Sequence, residues 1–459
     1  MRIVYKSCCG MDVHKDSVST CVLVIDEYGE WRSEKQRFRT MTCNLREMSR
    51  WLASLGVEAI AMEATGVYWK PVWNILEAEQ KFQLLLVNAH HVKNVPGRKT
   101  DQKDSEWIAE LLQHGLLKAS FVPPTVIRRL RDLTRMRVKI RQMLASFANR
   151  IQKVLEDANI KLGSVASDVL GVSGRHMLHA MVEGQQDPKQ LAELAQGRLR
   201  EKLEELQLAL EGHITDHHRF QLKFLLEFMR FGERQLSQLE AEIRRLITQV
   251  EPTGIRPIRP KDAAAAEVAA LGVETEVQAA PEKSPLQALV ELWDTIPGID
   301  ELTASTLVAE MGANMDQFPT AGHAAKWAGI CPGNKESAGK RLSGKTPKGS
   351  IWLRRALCQA AWAASRTKNT YLAAQYHRLM VRKGKKKTIV AVAHTMLIIA
   401  YYVAKRQCPY QELGGDYFDR RNKDTVQARL VKKLRVLGYE VTLTPFNPTS
   451  MAQETTALA

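Results

Sequence analysis

Four carboxylates and one serine-bearing loop have the residue types and spacing to do chemistry. Asp12 follows an apolar run in GMDVHKDS, and Glu63 closes another in AMEATGVYW. Asp101 and Asp104 open a periodic segment in KTDQKDSEWIAELL. All four stand at expected strand ends or helix starts, where side chains can converge above a sheet edge. Asp101 and Asp104 are spaced to share one face of a helical first turn. Converging carboxylates repel one another and become stable together chiefly by binding hard cations, here Mg2+ or Mn2+. Two such ions roughly 3.5–4 Å apart can clamp a phosphodiester and stabilise both its attacking and leaving oxygens. Taken singly, each acid also has a plainer use, as a helix cap or in an ion pair. His14, His90 and His91 lie nearby but lack the spacing of a zinc site.

The loop is Cys331–Gly349, CPGNKESAGKRLSGKTPKG. Its glycines and prolines exclude a regular helix or strand interior. Lys335, Lys340, Arg341, Lys345 and Lys348 face a single acid, Glu336. Backbone N–H groups, cations and hydroxyls are what a phosphate needs, although such a loop in isolation reads better as a solvated basic surface. Ser337 and Ser343 are both candidate nucleophiles, and the local sequence does not choose between them. A serine hydroxyl is a poor nucleophile near neutral pH and needs a base or a metal. The loop holds no histidine.

Charge supports a polyanionic partner. The chain has 459 residues and a formal net charge of +16, which favours nucleic acid. From Thr320 to Arg406 there are 18 Lys and Arg against one acid. Between Pro124 and Lys153 there are nine against one, with Arg128, Arg131 and Arg135 sharing a helix face. These three arginines, together with Lys340, Arg341, Lys345, Lys348 and Arg354, are the residues expected to meet phosphate. The seven cysteines form no C-x-x-C pair and suit reduced thiols in a cytoplasm. The N-terminus reads as folded sequence without a signal peptide. The apolar run Thr388–Ala404 falls short of a membrane span and reads as a buried core helix.

The elements that must position these residues follow from periodicity. Three strands, Cys8–Val13, Val18–Ile25 and Trp31–Arg39, come first. Helix Leu45–Leu55, strand Val57–Met62, helix Val67–Ala78, strand Gln83–Val87 and helix Asp104–Gln113 follow. Hairpin strands followed by alternating helix and strand give a mixed sheet with helices on its faces. Thr125–Asp157 is one long helix. Leu191–Val250 is leucine-rich and helical, either a bundle within the chain or a coiled-coil dimer contact. The fold class is thus α/β plus α. The expected domains are an acidic catalytic domain over 1–124, a basic helix and helical region over 125–250, and a linker or insertion over 251–285. A mostly helical, serine-bearing domain follows over 286–406, and a basic, partly disordered tail over 407–459. Within the fourth, TIPGIDELTASTLVAEMG resembles a helix-hairpin-helix, with Asp300 where many such hairpins carry glycine.

The layout of the four acids resembles the RNase H-like fold of the RuvC type. GMDVHKD, MEATGVYW, KTDQKD, IPGID and CPGNKESAGK, in this order, resemble the insertion-sequence transposases with a DEDD RuvC-like N-terminal domain and a serine-bearing C-terminal transposase domain. The resemblance covers residues 8–160 and 290–406. It implies DNA recombination for a mobile element, with Asp12, Glu63, Asp101 and Asp104 holding Mg2+ and Ser337 forming a phosphoserine intermediate. It also implies a structured bridge RNA that pairs with donor and target DNA. Finally, it implies dimers or tetramers in which one subunit's acids complete the site around another's serine. Two other readings compete: a hydrolytic RuvC-like nuclease or junction resolvase with water as nucleophile, and a non-catalytic nucleic-acid-binding protein. A cytoplasmic, nucleoid-associated location follows from the first.

Overall fold

The structure, a computed structural model, describes residues 3–25, 30–64, 66–88, 92, 104–249, 283–337 and 339–443. Asp101, His90, His91 and almost all of the expected linker at 251–285 lie outside them. The chain divides into two compact units, Met1–Pro123 and Pro124–Ala459.

In the first unit the elements run β1 (Ser7–Val13), β2 (Ser17–Ile25), β3 (Trp31–Arg39), α1 (Thr42–Ser54), β4 (Ala59–Glu63), α2 (Trp69–Glu79), β5 (Gln83–Val87), α3 (Asp104–Gln113) and β6 (Ala119–Ser120). They form one mixed sheet of order β3-β2-β1-β4-β5-β6. The strands β1, β2 and β3 are antiparallel neighbours, β1, β4 and β5 run parallel, and β6 returns antiparallel. The central strands are covered on both faces, so they read as nearly continuous apolar runs. One face packs Cys9, Met11, Val13, Ile60 and Met62 under α1 and α2, and the other packs Cys8, Ala59 and Ala61 under α3. The edge strand β3, WRSEKQRFR, buries only Phe38. Its charges suit an edge that must not pair further.

Gly10 sets the distance between α3 and the sheet. A Cβ built there would lie 2.2 Å from Ser105 O and 2.4 Å from Ala109 N, both backbone atoms. Gly10→Ala is therefore expected to lower the stability of this unit by about 1–3 kcal/mol, the usual cost of overpacking a tight core. An unchanged urea midpoint for the full chain would contradict the prediction.

The second unit begins with α4 (Thr125–Asp157), followed by α5 (Leu162–Val165), α6 (Val172–Val182), α7 (Pro188–Glu193), a 3-10 turn at Gly197–Lys202, α8 (Leu203–Leu210) and α9 (Asp216–Thr248). The two 33-residue helices α4 and α9 pack against each other. Arg137 reaches Glu240 at 2.6 Å, the Phe147 and Phe228 rings lie 5.4 Å apart, and Gly232 receives Leu144. The leucine-rich region thus finds a partner within the chain. Buried His218, in the first turn of α9, bonds Thr215 and Asp157 at the end of α4.

The remainder is α10 (Pro285–Asp294), α11 (Glu301–Met311), α12 (Ala321–Trp327), strands β7 (Lys335–Ser337) and β8 (Lys340–Ser343), α13 (Ile351–Ala364), α14 (Tyr371–Lys383), α15 (Lys385–Arg406), α16 (Tyr417–Arg421) and α17 (Lys423–Val436). By length and composition α15 could cross a membrane. Here Val392, Ala393, Met396, Leu397 and Ala400 are fully buried, and the Trp293 indole donates to Ala400 O at 2.8 Å. It is the core helix of this unit. The described part of the tail carries α16 and α17 and docks through aromatic contacts of Tyr371 with Tyr417 and Phe418.

Candidate active site

Parallel pairing brings the first two acids side by side. The β1–β4 register matches Met11 with Met62, so Asp12 and Glu63 are the next residues along on neighbouring strands. Strand alternation puts Asp12 on the face of Gly10, and Glu63 on that of Ala59 and Ala61. Both are the α3 face. The direction of α3 follows from its contacts. The Cys8 thiol donates to Ala109 O at 3.6 Å, while Ser105 lies over Gly10. The helix therefore runs antiparallel to β1, and its first residue, Asp104, lies toward Asp12. A helix N-terminus also favours nearby carboxylates through its dipole.

Asp12 Oδ2 is 3.0 Å from His14 Nε2. Among the described residues no three His, Cys, Asp or Glu side chains stand close enough together to hold a metal ion. Asp101, the fourth expected carboxylate, is not among them. The donor type of Asp12, Glu63 and Asp104 fits a hard divalent cation, which takes oxygen ligands. Nearer the start of β1, burial pushes the Cys8 thiol up to about 12 and Cys9 well above its usual value.

Two short stretches of the serine loop that hold no glycine or proline, β7 and β8, are regular. β7 and β8 form a hairpin in which Ser337 pairs with Lys340 and Glu336 with Arg341. Gly339, at φ +74°, turns the chain between them. The other glycines let backbones meet. A Cβ on Gly333 would lie 2.2 Å from Lys345 O, and one on Gly349 would lie 2.3 Å from Gly329 N. Gly333 N donates to Lys345 O at 3.1 Å, and Arg354 Nη1 to Thr346 Oγ1 at 3.0 Å, closing the base.

This geometry separates the two serines. Ser343 Oγ accepts a hydrogen bond from Lys345 N at 3.1 Å and is half-buried. Ser337 is exposed at the end of β7, and among the described residues its hydroxyl has no partner. Lys340, Lys345 and Lys348 are exposed along the same segment.

On the basic helix α4 the three arginines expected to meet phosphate have different surroundings. Arg128 donates to Thr125 Oγ1 at 3.0 Å near the helix start. Arg131 and Arg135 instead turn to α11. Arg131 donates to Ala309 O at 2.9 Å and Glu310 O at 2.8 Å, while Arg135 grips both Glu310 oxygens at 2.7 and 3.0 Å. Ser350 Oγ adds a bond to Glu310 at 3.1 Å. Glu310 is 1 % exposed, and a buried carboxylate needs such partners. Burial pushes the Arg131 guanidinium down, against the opposing pull of Glu310. Glu310 escaped sequence reasoning, although it is a lone acid amid the apolar LTASTLVAEM.

The turn between α10 and α11 packs inward. Gly298 has φ +88°, and a Cβ there would lie 2.4 Å from Ala360 O of α13. Asp300 caps α11 by accepting from Thr303 N at 2.8 Å. Burial raises its carboxyl, but the Thr303 hydrogen bonds outweigh that and hold it below its ordinary value.

Two stretches match known families. Residues 9–160 match the DEDD domain of IS110 elements, described as a transposase. Residues 290–378 match the family described as transposase IS116/IS110/IS902. No curated protein matches the chain.

Proposed function

The chain belongs to the IS110 family of transposases, and on that premise we propose that it cuts and rejoins DNA through a covalent bond between Ser337 and a DNA phosphate. DNA as substrate and an RNase H-like first domain come with the family. The covalent step is our reading, and one observation carries it: Ser337 presents an unengaged hydroxyl beside exposed lysines, while the rival Ser343 is engaged by its own backbone.

In this reading the Ser337 hydroxyl loses its proton and its Oγ bonds to phosphorus, as the bond from phosphorus to one deoxyribose oxygen breaks. That oxygen leaves as a hydroxyl. A hydroxyl from another strand later reverses the step, so joining needs no ATP. Lys340, Lys345 and Lys348 neutralise the non-bridging oxygens as charge builds there, with Arg341 and Arg354 placed by sequence in the same segment. Asp12, Glu63 and Asp104, with Asp101, would hold Mg2+ or Mn2+. Such an ion supplies charge stabilisation at the phosphate and a more acidic hydroxyl. The further expectations belong with this proposal: a bridge RNA as guide, a dimer or tetramer sharing its sites between subunits, and action at the nucleoid.

The test is to incubate the protein with element-end DNA in Mg2+, denature, and digest. Mass spectrometry should find a nucleotide on Ser337. Joined product without an adduct, or an adduct elsewhere, would overturn the proposal, and hydrolysed product alone would favour the resolvase reading. Asp12→Asn and Asp104→Asn are each expected to slow cutting on the order of 100-fold or more, about 3 kcal/mol of transition-state stabilisation. Undiminished cutting by both would remove the acidic site from the mechanism.

A further inference from the structure

Helix α9 is apolar on two opposite faces. Leu222, Leu225, Leu226 and Met229 are buried in the core shared with the end of α4. Phe220, Phe224, Phe228 and Phe231, spaced by four, four and three residues, form a stripe on the other side of the helix. They are 69, 52, 44 and 52 % exposed. Their rings run together along the helix, with the centroids of Phe220 and Phe224 6.5 Å apart and those of Phe224 and Phe228 4.9 Å apart. Phe228 also meets Phe147 of α4, and Met143, one turn before Phe147, is exposed. The patch therefore crosses from α9 to α4. Helix α9 itself lies between residues 9–160 and 290–378, the stretches that match the family.

Single exposed apolar residues are ordinary, but a continuous strip is not. At about 200 Å2 for an aromatic side chain, the four exposed rings leave about 400 Å2 of apolar surface in one place, the size at which a patch marks an interaction site. Two observations select a second copy of this chain as the occupant. The first is area. A two-fold contact buries the same patch twice, so the rings alone bring about 800 Å2, half of a standard interface of about 1,600 Å2. The second is charge. Lys223 and Glu227 each precede a phenylalanine of the stripe, so they border it on one flank, one turn apart. Both are exposed, and among the described residues neither has an ion pair. When two copies of a helix run antiparallel about a two-fold axis, this flank meets itself in reverse order. Lys223 then faces Glu227 of the partner subunit, and Glu227 faces Lys223 of the partner subunit. A nucleic-acid duplex, by contrast, would be repelled by Glu227 and offer the rings no apolar surface.

We propose that the phenylalanine stripe of α9 is the contact between two copies of this chain, laid antiparallel about a two-fold axis and fixed in register by reciprocal Lys223–Glu227 pairs. The rings supply the apolar centre and the two ion pairs its polar rim. The inference assigns a surface to the expected dimer. It does not rest on Ser337 chemistry, because the test reads self-association without DNA and not joining.

The full-length protein, free of nucleic acid, should self-associate in sedimentation equilibrium. Phe220→Glu/Phe224→Glu should weaken that association on the order of 100-fold or more, because each new charge is buried twice in a symmetric contact. The replaced side chains are exposed, so far-UV circular dichroism and the urea midpoint at low protein concentration should not move. A parent that stays monomeric at tens of micromolar, or a folded variant that associates as the parent does, would overturn the proposal. Lys223→Glu and Glu227→Lys leave the rings in place and test the pairing itself. Each variant alone sets like charges across the two-fold axis and should associate more weakly than the parent. Mixed together, the two should associate more tightly than either does alone, because every facing pair then has opposite signs. A mixture no tighter than its components removes the antiparallel contact.

Discussion

Ser337→Ala is expected to abolish strand joining, with a rate loss on the order of 10^4-fold or more, as removal of a nucleophile usually brings. That loss corresponds to at least about 5 kcal/mol of transition-state stabilisation. Ser343→Ala should stay within about tenfold of the parent, because a neutral hydrogen bond contributes only about 0.5–1.5 kcal/mol. The contrast comes from geometry. Ser343 Oγ is occupied by Lys345 N, whereas the Ser337 hydroxyl is exposed and without a described partner. DNA binding should survive in Ser337→Ala, since the lysines around it are untouched. Gel assays of joined product, set beside equilibrium DNA binding, separate the two effects. Normal joining by Ser337→Ala would remove the covalent mechanism. A larger loss in Ser343→Ala than in Ser337→Ala would exchange their roles.

Part of this site was readable from the residues. The bounds Trp31–Arg39, Gln83–Val87, Asp104–Gln113 and Thr125–Asp157 match the structure, because strong periodicity and clear breakers agree there. Placing Asp12, Glu63 and Asp104 at one end of the sheet followed from the same elements. The serine hairpin was not readable. Its glycines suggest a loss of regular structure, yet Gly333, Gly329 and Gly349 allow backbones to approach each other. Close approach is a pairwise property, and no single segment displays it. The partners of Arg131 and Arg135 were unreadable for a related reason. The spacing of the two arginines on α4 defines a face correctly, but only the fold shows that this face meets Glu310. The tail helix Lys423–Val436 buries none of its residues, so it offers no core-facing signature to read.

Glu310→Ala is expected to destabilise the second unit by about 3 kcal/mol, the low end of the range for breaking a buried ion pair. The low end applies because Arg135 is 35 % exposed while Arg131 is 17 % and Glu310 1 % exposed, so water screens part of the interaction. The sign follows from what remains. Without the carboxylate, Arg131 stays buried with only the carbonyls of Ala309 and residue 310 to hold it. Glu310→Gln keeps the volume and some hydrogen bonds, so its cost should be smaller. A cycle with Arg135→Ala should give a coupling of about 1–3 kcal/mol. Urea unfolding of the full chain measures all three, and additive single and double variants would show that the pair is incidental. The consequence reaches the serine. Ser350 bonds Glu310 and also caps α13 by accepting from Leu353 N at 3.3 Å, directly after the hairpin's closing glycine. Glu310→Ala should therefore slow joining at temperatures where the chain is still folded. Glu310→Ala with full activity below its unfolding transition would confine Glu310 to holding helices together.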